Sequence, residues 1–190
     1  MIIGNFFKHL KSNYKSHNFT GLSFESAKCK KGNIFFAIKG TVIDGTKFID
    51  HAIQKGARTI ISSQKFEGYK KNVLYIKSSN VRKSLSEVAY AIYKDKPKNI
   101  IAVTGTNGKS SIADFYYQIL RLNKKKVASI GTLGIKKKNY VQAVSNTTID
   151  PIKLSKVLNQ LKKENINNVI LEASSHGLKQ NRLDGLQFKT

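Results

Sequence analysis

Short apolar runs alternate with amphipathic segments along the first half of the chain. Residues 33–38, 58–62 and 72–77 are rich in β-branched and aromatic residues, which predicts three short strands. Apolar residues recur at helical spacing within residues 48–57, and Gly56 stands where a helix commonly ends. A second helix is predicted over residues 81–93. The first half is therefore expected to form a small α/β domain.

The second half alternates regularly between strand and helix patterns. Strands are predicted at residues 100–104, 127–130 and 169–173, and helices at residues 110–122 and 152–164. This order predicts a parallel sheet with crossover helices. Such a sheet usually has about five or more strands, so the sequence is expected to end within this domain. The first helix has four apolar residues on one face, which is predicted to pack on the sheet: Ile112, Phe115, Tyr116 and Ile119.

A charged segment at residues 94–99 separates the two halves. It contains Pro97, one of only two prolines in the chain, and reads as a linker. The predicted domains are therefore residues 1–95 and residues 96–190, both of the α/β class.

Composition adds a prediction of location. The chain has 190 residues, of which 40% are hydrophobic, so it can bury a core. No apolar run approaches the roughly 20 residues that span a bilayer, and Lys8 and Lys11 interrupt the N-terminal apolar residues of a possible signal peptide. The single cysteine, Cys29, excludes an intrachain disulfide and a cysteine-based zinc cluster. We expect a soluble, cytoplasmic protein with no membrane partner.

The net charge of +23 suggests nucleic-acid binding at first sight. However, only four of the 34 basic residues are arginine, whose planar group is favoured in specific phosphate and base recognition. The lysines are spread along the chain together with many Asn and Ile residues, all of which have A/T-rich codons. A biased genome therefore explains the charge as well, and no nucleic-acid partner is predicted.

The sequence TGTNGKSS at residues 104–111 joins a predicted strand to a predicted helix. Its two glycines allow a sharp turn with inward amides, and a helix N-terminus favours a bound anion. Lys109 is placed to reach terminal phosphates, and Ser110 to ligate Mg²⁺. Val103 occupies the place of the first glycine in the usual phosphate-loop pattern. A plain strand-to-helix turn is the alternative, but it would not require Gly-Lys-Ser. The predicted ATP-binding residues are Gly105, Thr106, Asn107, Gly108, Lys109, Ser110 and Ser111, with Lys109 also catalytic.

Glu172 is predicted to end an apolar strand. In parallel sheets, ligands bind beyond the carboxyl ends of the strands, and Mg²⁺ prefers oxygen ligands. We therefore predict that Glu172 and Ser110 hold Mg²⁺. The alternative is a solvated carboxylate at a strand end. His176, four residues further on, is predicted to be structural rather than a metal ligand.

Several segments resemble the Mur ligases, a family that builds the peptide of bacterial cell-wall precursors. VTGTNGKSS at residues 103–111 closely resembles the family's ATP loop, which also lacks the first glycine. Residues 22–57 resemble the uridine-nucleotide-binding domain of these ligases. Residues 145–151, SNTTIDP, and residues 171–183, LEASSHGLKQNRL, resemble the members that add the third residue of the peptide. The resemblance covers nearly the whole chain.

The resemblance also implies which residues contact the substrate. One group would bind the uridine nucleotide: Phe24, Ser26, Thr41 and Val42. A second would bind the muramoyl-dipeptide: Asn146, Thr147, Thr148, Ser174, Gln180 and Arg182. Glu25-Ser26-Ala27 departs from the family's Asp-Ser-Arg. Each segment also has a structural alternative. Residues 40–45 can be an ordinary hairpin or helix-entry loop, and Asn146 to Thr148 can be a helix cap. Arg182 can be a basic residue on a solvated turn.

The fold class that the resemblance implies is a small N-terminal α/β nucleotide-binding domain, followed by the first part of a P-loop-type parallel-sheet ATPase domain. The implied activity is ATP- and Mg²⁺-dependent ligation of diaminopimelate or lysine to UDP-N-acetylmuramoyl-L-alanyl-D-glutamate through an acyl phosphate, by a monomer. The family's amino-acid-selecting domain has no counterpart in these residues, so ligase activity is not expected of them alone. The alternatives are a non-catalytic nucleotide-binding remnant and another ligase of the superfamily, such as folylpolyglutamate synthetase.

Overall fold

The computed structural model describes residues 1–41 and 43–189. The chain packs as two compact units, Met1–Val88 and Ala89–Thr190. The division falls within a helix rather than in the charged segment at residues 94–99. The roles predicted for the two domains stay predictions.

The first unit contains a five-stranded sheet in the order β1-β2-β3-β5-β4. Neighbouring strands are parallel except for β4, which pairs antiparallel with β5. The strands predicted from the apolar runs are confirmed as β2, β3 and β5, and Gly56 follows α2 with a φ of +108°. The elements are β1 (Gly21–Ser23), β2 (Asn33–Phe36), β3 (Thr59–Ser62), β4 (Gly68–Lys70), β5 (Val73–Lys77), α1 (Ser12–Lys15), α2 (Ile49–Gln54), α3 (Val81–Ile92) and 3₁₀ turns at Ile3–Asn5, Ser26–Lys28 and Gly45–Phe48.

The core of this unit lies between α2 and the central strands. All residues of β2 and β3 are buried, as expected for parallel strands covered on both faces. Ala52 of α2 packs with Phe35 and Ile60 of these strands. Strands β1 and β4 were not predicted because each has only three residues and no run of apolar side chains.

The second unit contains another five-stranded sheet, in the order β6-β10-β7-β8-β9. Strands β6, β10 and β7 are parallel, and β8 and β9 add an antiparallel extension. The mixed α/β fold with parallel strands is confirmed, together with all three predicted strands and both helices. The elements are β6 (Asn99–Val103), α4 (Lys109–Leu122), β7 (Val127–Gly131), β8 (Gly134–Lys137), β9 (Tyr140–Gln142), α5 (Pro151–Lys163), β10 (Asn168–Glu172) and α6 (Ser175–Lys179).

The predicted count of three strands in this unit is wrong. Strands β8 and β9 were missed because they are short and carry lysines and exposed side chains instead of apolar runs. The two-residue turn between β7 and β8 places Gly134 at a φ of +95°, and Gly131 pairs with Gly134 across it.

The predicted packing face of α4 is wrong for three of its four residues, while the fourth, Tyr116, is half-buried. Helix α4 packs over β7 and β10 through Ala113 and Tyr117, which are buried. Ile112, Phe115 and Ile119 are instead 52%, 61% and 56% exposed. Helical spacing identifies an apolar stripe, but it does not say which neighbour covers it. Within the described residues, no helix is both long enough and apolar enough to cross a membrane.

Candidate functional site

The loop between β6 and α4 places backbone amides at the start of a 14-residue helix. Gly108 is the N-cap residue with a φ of +78°, and no side chain caps the helix there. A side chain at Gly108 would meet no atom within 4 Å, so the positive φ is the reason for glycine at this position. The first amides of a helix lack intrahelical acceptors and carry partial positive charge. This geometry is compatible with the predicted anion site, which stays a prediction.

Lys109 folds back over this loop. Its Nζ donates to the carbonyl oxygens of Gly105, at 2.7 Å, and of Thr106, at 3.3 Å. These bonds hold the ammonium group beside the amides that begin α4. A phosphate placed on the loop would offer Lys109 a stronger, charge-assisted acceptor than a carbonyl.

Glu172 lies at the carboxyl end of β10, the central one of the three parallel strands. It is directly opposite Val103, the last residue of β6 before the loop. Its side chain is 2% exposed, and Ser110 Oγ donates to its Oε2 at 2.8 Å. The alternative of a solvated carboxylate is therefore wrong. The fold brings the two predicted metal ligands together, while their metal role stays a prediction.

Two residues that the sequence reasoning missed complete the surroundings of Glu172. Thr132 donates its backbone N–H to Glu172 Oε1 at 3.0 Å and its hydroxyl to Oε2 at 3.1 Å. A Cβ added to Gly131 would lie 2.1 Å from Glu172 Oε1, so the carboxylate packs directly on this glycine. The signal available in the sequence was a parallel strand ending in Gly-Thr, because carboxyl ends of parallel strands meet at one edge.

The Asn-Thr-Thr segment reaches the same edge of the sheet, and its three residues differ. Asn146 is exposed, and its Nδ2 donates to Ser145 Oγ at 3.4 Å. Thr147 Oγ1 lies 3.0 Å from Thr132 Oγ1. Thr148 is buried, and its hydroxyl donates to the backbone carbonyl of Glu172 at 2.9 Å. Thr148 therefore anchors the segment to β10, while Asn146 and Thr147 face the open side.

The residues after Glu172 form a connected group around α6. Ser174 caps this helix by accepting from Gly177 N at 3.1 Å, and its own amide donates to Thr148 Oγ1 at 2.9 Å. Arg182 donates from Nε and Nη2 to Gln180 Oε1 at 3.0 and 2.8 Å, and from Nη1 to the carbonyl of Thr148. Partial burial lowers the pKa of the Arg182 guanidinium. Arg182 thus ties the segment after α6 to the Asn-Thr-Thr segment.

His176 belongs to the same group. Its Nε2 lies 2.6 Å from Gln180 Nε2, and it is exposed on α6. Across the described residues, no three His, Cys, Asp or Glu side chains cluster as a metal site.

The oxygen pair of Ser110 and Glu172 fits Mg²⁺ by its chemistry. Mg²⁺ prefers hard oxygen ligands and commonly binds through one or two protein oxygens plus phosphates and water. A hydroxyl that donates its hydrogen to a carboxylate keeps its lone pairs for a cation. Ser110 and Glu172 are the residues that would hold the ion beside a bound phosphate, where it would neutralise developing charge.

In the first unit, the candidates for the uridine nucleotide are less connected. Ser26 begins a 3₁₀ turn, and its Oγ lies 3.0 Å from Nδ1 of His51 on α2. Phe24 is half-buried and Thr41 is exposed. Val42 lies outside the described residues. His51 was missed because a lone histidine in a helix gives no specific signal.

A basic cavity of about 680 Å³ lies at the other end of the second sheet, where β7 and β10 begin. Lys137 on its wall is paired with Glu164 at 2.6 Å. Because the parallel strands carry the loop and Glu172 at their carboxyl ends, this cavity is separate from the candidate site. The predicted absence of a nucleic-acid partner stays a prediction. The basic side chains that line the cavity are Arg121, Lys124, Lys125, Lys126, Lys137 and Lys138.

Comparison with known proteins shows the family to which the chain belongs. Residues 18–105 match the model of the Mur ligase family, catalytic domain, and residues 103–190 match the model of the Mur ligase middle domain. The chain belongs to the Mur ligase family. The ligase UDP-N-acetylmuramoyl-L-alanyl-D-glutamate--2,6-diaminopimelate ligase of Rickettsia conorii is 41% identical over 179 residues, which cover 92% of this chain and 37% of that protein. The enzymes of the same name from Bradyrhizobium diazoefficiens and Vibrio vulnificus are 39% and 36% identical, and each match covers 88% of this chain.

Solved structures agree with the family assignment. A structure of a ligase of the same name superposes with a TM-score of 0.85 at 28% identity and covers 100% of this chain and 39% of that protein. A MurF ligase from Thermotoga maritima in complex with ADP shares the fold, with a TM-score of 0.54 at 23% identity over 81% of this chain and 32% of that one. The chain spans 37% of the length of the curated relative from Rickettsia conorii.

Proposed function

We propose that this chain binds ATP and UDP-N-acetylmuramoyl-L-alanyl-D-glutamate for the ligation of a third amino acid in peptidoglycan precursor synthesis. The observation that carries the proposal is the meeting of Lys109, Ser110 and Glu172 at the carboxyl ends of β6 and β10. The names of the relatives specify 2,6-diaminopimelate as the amino acid that those enzymes use. We assign the same amino acid here, in place of lysine.

The reaction begins with transfer of the terminal phosphoryl group of ATP to the D-glutamate carboxylate of the acceptor substrate, UDP-N-acetylmuramoyl-L-alanyl-D-glutamate. The carboxylate oxygen attacks phosphorus, ADP leaves, and an acyl phosphate forms. The amine of the incoming amino acid then attacks the acyl carbon, loses a proton and expels inorganic phosphate. Phosphoryl transfer depends mostly on positioning and on stabilisation of spreading negative charge.

Each residue of the second unit has a defined part in that scheme. The amides that begin α4 bind the phosphates, and the Lys109 ammonium leaves the carbonyls of Gly105 and Thr106 to contact the transferring group. Ser110 and Glu172 hold Mg²⁺, which supplies charge neutralisation at the phosphates. The scheme needs no covalent intermediate on the protein, so these residues act by binding and orientation alone.

The acceptor is held by the residues at the same edge of the sheet. Asn146 and Thr147 contact the muramoyl-dipeptide from the segment before α5, and Thr148 fixes that segment to β10. Gln180 and Arg182 bind its carboxylate or phosphate groups, and Ser174 contributes while capping α6. In the first unit, Phe24, Ser26, Thr41 and Val42 bind the uridine nucleotide. We assign the protein to the cytoplasm, as a monomer.

Calorimetry with a non-hydrolysable ATP analogue, with and without Mg²⁺, tests the nucleotide part of the proposal. We expect Mg²⁺-dependent binding to the wild-type chain and at least a tenfold loss of affinity in Lys109→Ala. Lys138→Ala, which removes an exposed lysine in the basic cavity, is the matched control and should bind like wild type. Equal loss in both variants would show that net charge, rather than the loop, binds the nucleotide.

The acceptor part is tested by titrating the same chain with UDP-N-acetylmuramoyl-L-alanyl-D-glutamate. Binding of this compound but not of a short, stably paired duplex oligonucleotide supports the assignment. A chain that binds the oligonucleotide tightly and neither of the other ligands would support a basic nucleic-acid-binding protein instead. Binding of both ligands by a chain that never transfers phosphate would support a nucleotide-binding module without turnover.

A further inference from the structure

Three donors surround the Glu172 carboxylate. Oε1 accepts from the Thr132 amide, while Oε2 accepts from the hydroxyls of Ser110 and Thr132. Gly131 lies against the carboxyl group and leaves it no room on the β7 side. Thr132 is the first residue of the two-residue turn that joins β7 to β8, so its amide and its hydroxyl are held by a tight hairpin. The turn therefore fixes Glu172 from one side, as Ser110 does from the other.

The single hydrogen of the Thr132 hydroxyl has two competing acceptors. The Thr132 hydroxyl oxygen lies 3.1 Å from Glu172 Oε2, to which it donates, and 3.0 Å from Thr147 Oγ1, in a contact where either hydroxyl can be the donor. Since a hydroxyl donates only one hydrogen, Thr147 must donate to Thr132 in this arrangement. The result is a directed chain from Thr147 through Thr132 to Glu172.

The direction of this chain can reverse without any movement of the backbone. If a cation or a water takes over Glu172 Oε2, the Thr132 hydrogen is free to turn towards Thr147. Thr147 then accepts from Thr132, and its own hydrogen becomes available to a ligand on the open side. Because its χ1 is restricted, the β-branched side chain of Thr132 holds its oxygen in place during the change. The two orientations of the Thr132 hydroxyl would be two discrete states, which energetic coupling between two sites requires.

We propose that Thr132 is a positioning residue that couples nucleotide binding at Ser110 and Glu172 to acceptor binding at Thr147. The inference rests on the proposed function, because the two ligands are those assigned above. Occupation of the nucleotide side turns the Thr132 hydroxyl, and the Thr147 hydroxyl becomes a donor to the acceptor substrate. Each ligand therefore raises the affinity for the other, by the same factor in both directions.

Calorimetry on the full chain measures this coupling directly. The affinity for UDP-N-acetylmuramoyl-L-alanyl-D-glutamate is determined with and without saturating Mg²⁺ and a non-hydrolysable ATP analogue. In the wild-type chain we expect the analogue to raise that affinity by about tenfold, within the usual range of coupling energies. In Thr132→Val the factor should fall to about one, since valine has the shape of threonine without its hydroxyl.

Two control variants distinguish the loss of the Thr132 hydroxyl from a disruption of the turn that carries it. Thr132→Ser keeps the hydroxyl and should retain the coupling. Leu133→Ala changes the exposed neighbour in the same turn and should retain it as well. Thr147→Val breaks the chain at its other end and should abolish the coupling, so it decides the matter if Thr132→Val does not fold.

The outcomes distinguish this inference from the function on which it rests. If coupling survives in Thr132→Val, or is lost equally in Thr132→Ser, the proposal that the Thr132 hydroxyl couples the two ligands is wrong. A wild-type chain that binds both ligands independently overturns the coupling proposal while leaving the proposed function intact. A wild-type chain that binds neither ligand overturns the proposed function, and the coupling proposal with it.

Discussion

Helices α4 and α5 have similar lengths and similar amphipathic patterns, yet they are used differently. Helix α5 buries Leu154, Leu158 and Leu161 in the main core of the second unit. Helix α4 buries Ala113 and Tyr117, while Ile112, Phe115, Ile119 and Leu122 are exposed. Within the described residues, α4 therefore contributes less buried apolar surface to the core than α5 does.

The two N-termini show the same contrast. Helix α5 begins with an Asp150 cap that accepts from Lys153 N at 2.9 Å, and Pro151 follows it. Helix α4 begins with Gly108, which offers no side-chain cap. A helix that only needs to be stable satisfies its first amides with its own side chains. If α4 binds phosphate, as proposed, its first amides are left for the ligand.

The largest expected difference between α4 and α5 is the amount by which their apolar side chains contribute to the free energy of unfolding. Leu158→Ala removes a fully buried side chain from the core, which typically costs about 2–5 kcal/mol in the free energy of unfolding. Ile119→Ala on the exposed side of α4 should change it by no more than about 0.5 kcal/mol. Urea unfolding followed by far-ultraviolet circular dichroism measures both. A comparable loss in the two variants would mean that the side of α4 is covered in solution.

Gly108→Ala tests the reason for the uncapped start of α4. A residue with a Cβ is disfavoured at a φ of +78°, at a cost of roughly 1–2 kcal/mol. The variant should be destabilised by about that amount and should also bind the ATP analogue more weakly, because the amides of the loop move with the strained residue. Gly185→Ala also replaces a glycine at positive φ, 90°, but away from the loop. It should lose stability while keeping its affinity for the nucleotide, and an equal loss of affinity there would refute the argument.

The glycine-containing loop at residues 104–111 and Glu172 could be located from the sequence because both are local signals at the ends of apolar strands. The surroundings of Glu172 were not, since Thr132 lies 40 positions away along the chain and meets it only through the strand order of the sheet. The exposed side of α4 shows the same limit. Its spacing predicted an apolar face correctly, but burial depends on the neighbours that the sheet brings to it. Strands β8 and β9 escaped prediction because antiparallel pairing, rather than apolar side chains, defines them.

Asp150→Ala tests the capped start of α5. Loss of an N-cap side chain typically costs about 1 kcal/mol, and the amide of Lys153 is left to water. We expect a reduction of this size in the free energy of unfolding, with no change in affinity for the ATP analogue. Asp150→Ser keeps a capping oxygen and should recover most of the loss. Weaker nucleotide binding in Asp150→Ala would contradict the separation of roles between the two helices.

The smallest expected effect concerns two ion pairs that tie the helices to the same strand. Lys136 and Lys137 of β8 contact Asp114 of α4 and Glu164 after α5, each at 2.6 Å. The hydrogen bond from Lys136 lowers the pKa of Asp114, and the hydrogen bond from Lys137 lowers the pKa of Glu164. A carboxyl group with a lowered pKa in the folded state stabilises the protein above its unfolded pKa of about 4.

This contribution should be present at neutral pH and lost as the pH falls below about 4, through the lowered values. Because both pairs are partly exposed, each is worth at most about 1 kcal/mol and should weaken in high salt. Asp114→Asn and Glu164→Gln should therefore lower the free energy of unfolding slightly and by similar amounts at pH 7, and the difference from wild type should shrink as the pH falls through the lowered pKa values. Urea unfolding over this pH range is the measurement. The prediction is wrong if Asp114→Asn alone is strongly destabilising. In that case α4 would depend on its ion pair with β8, whereas α5 depends on its core contacts.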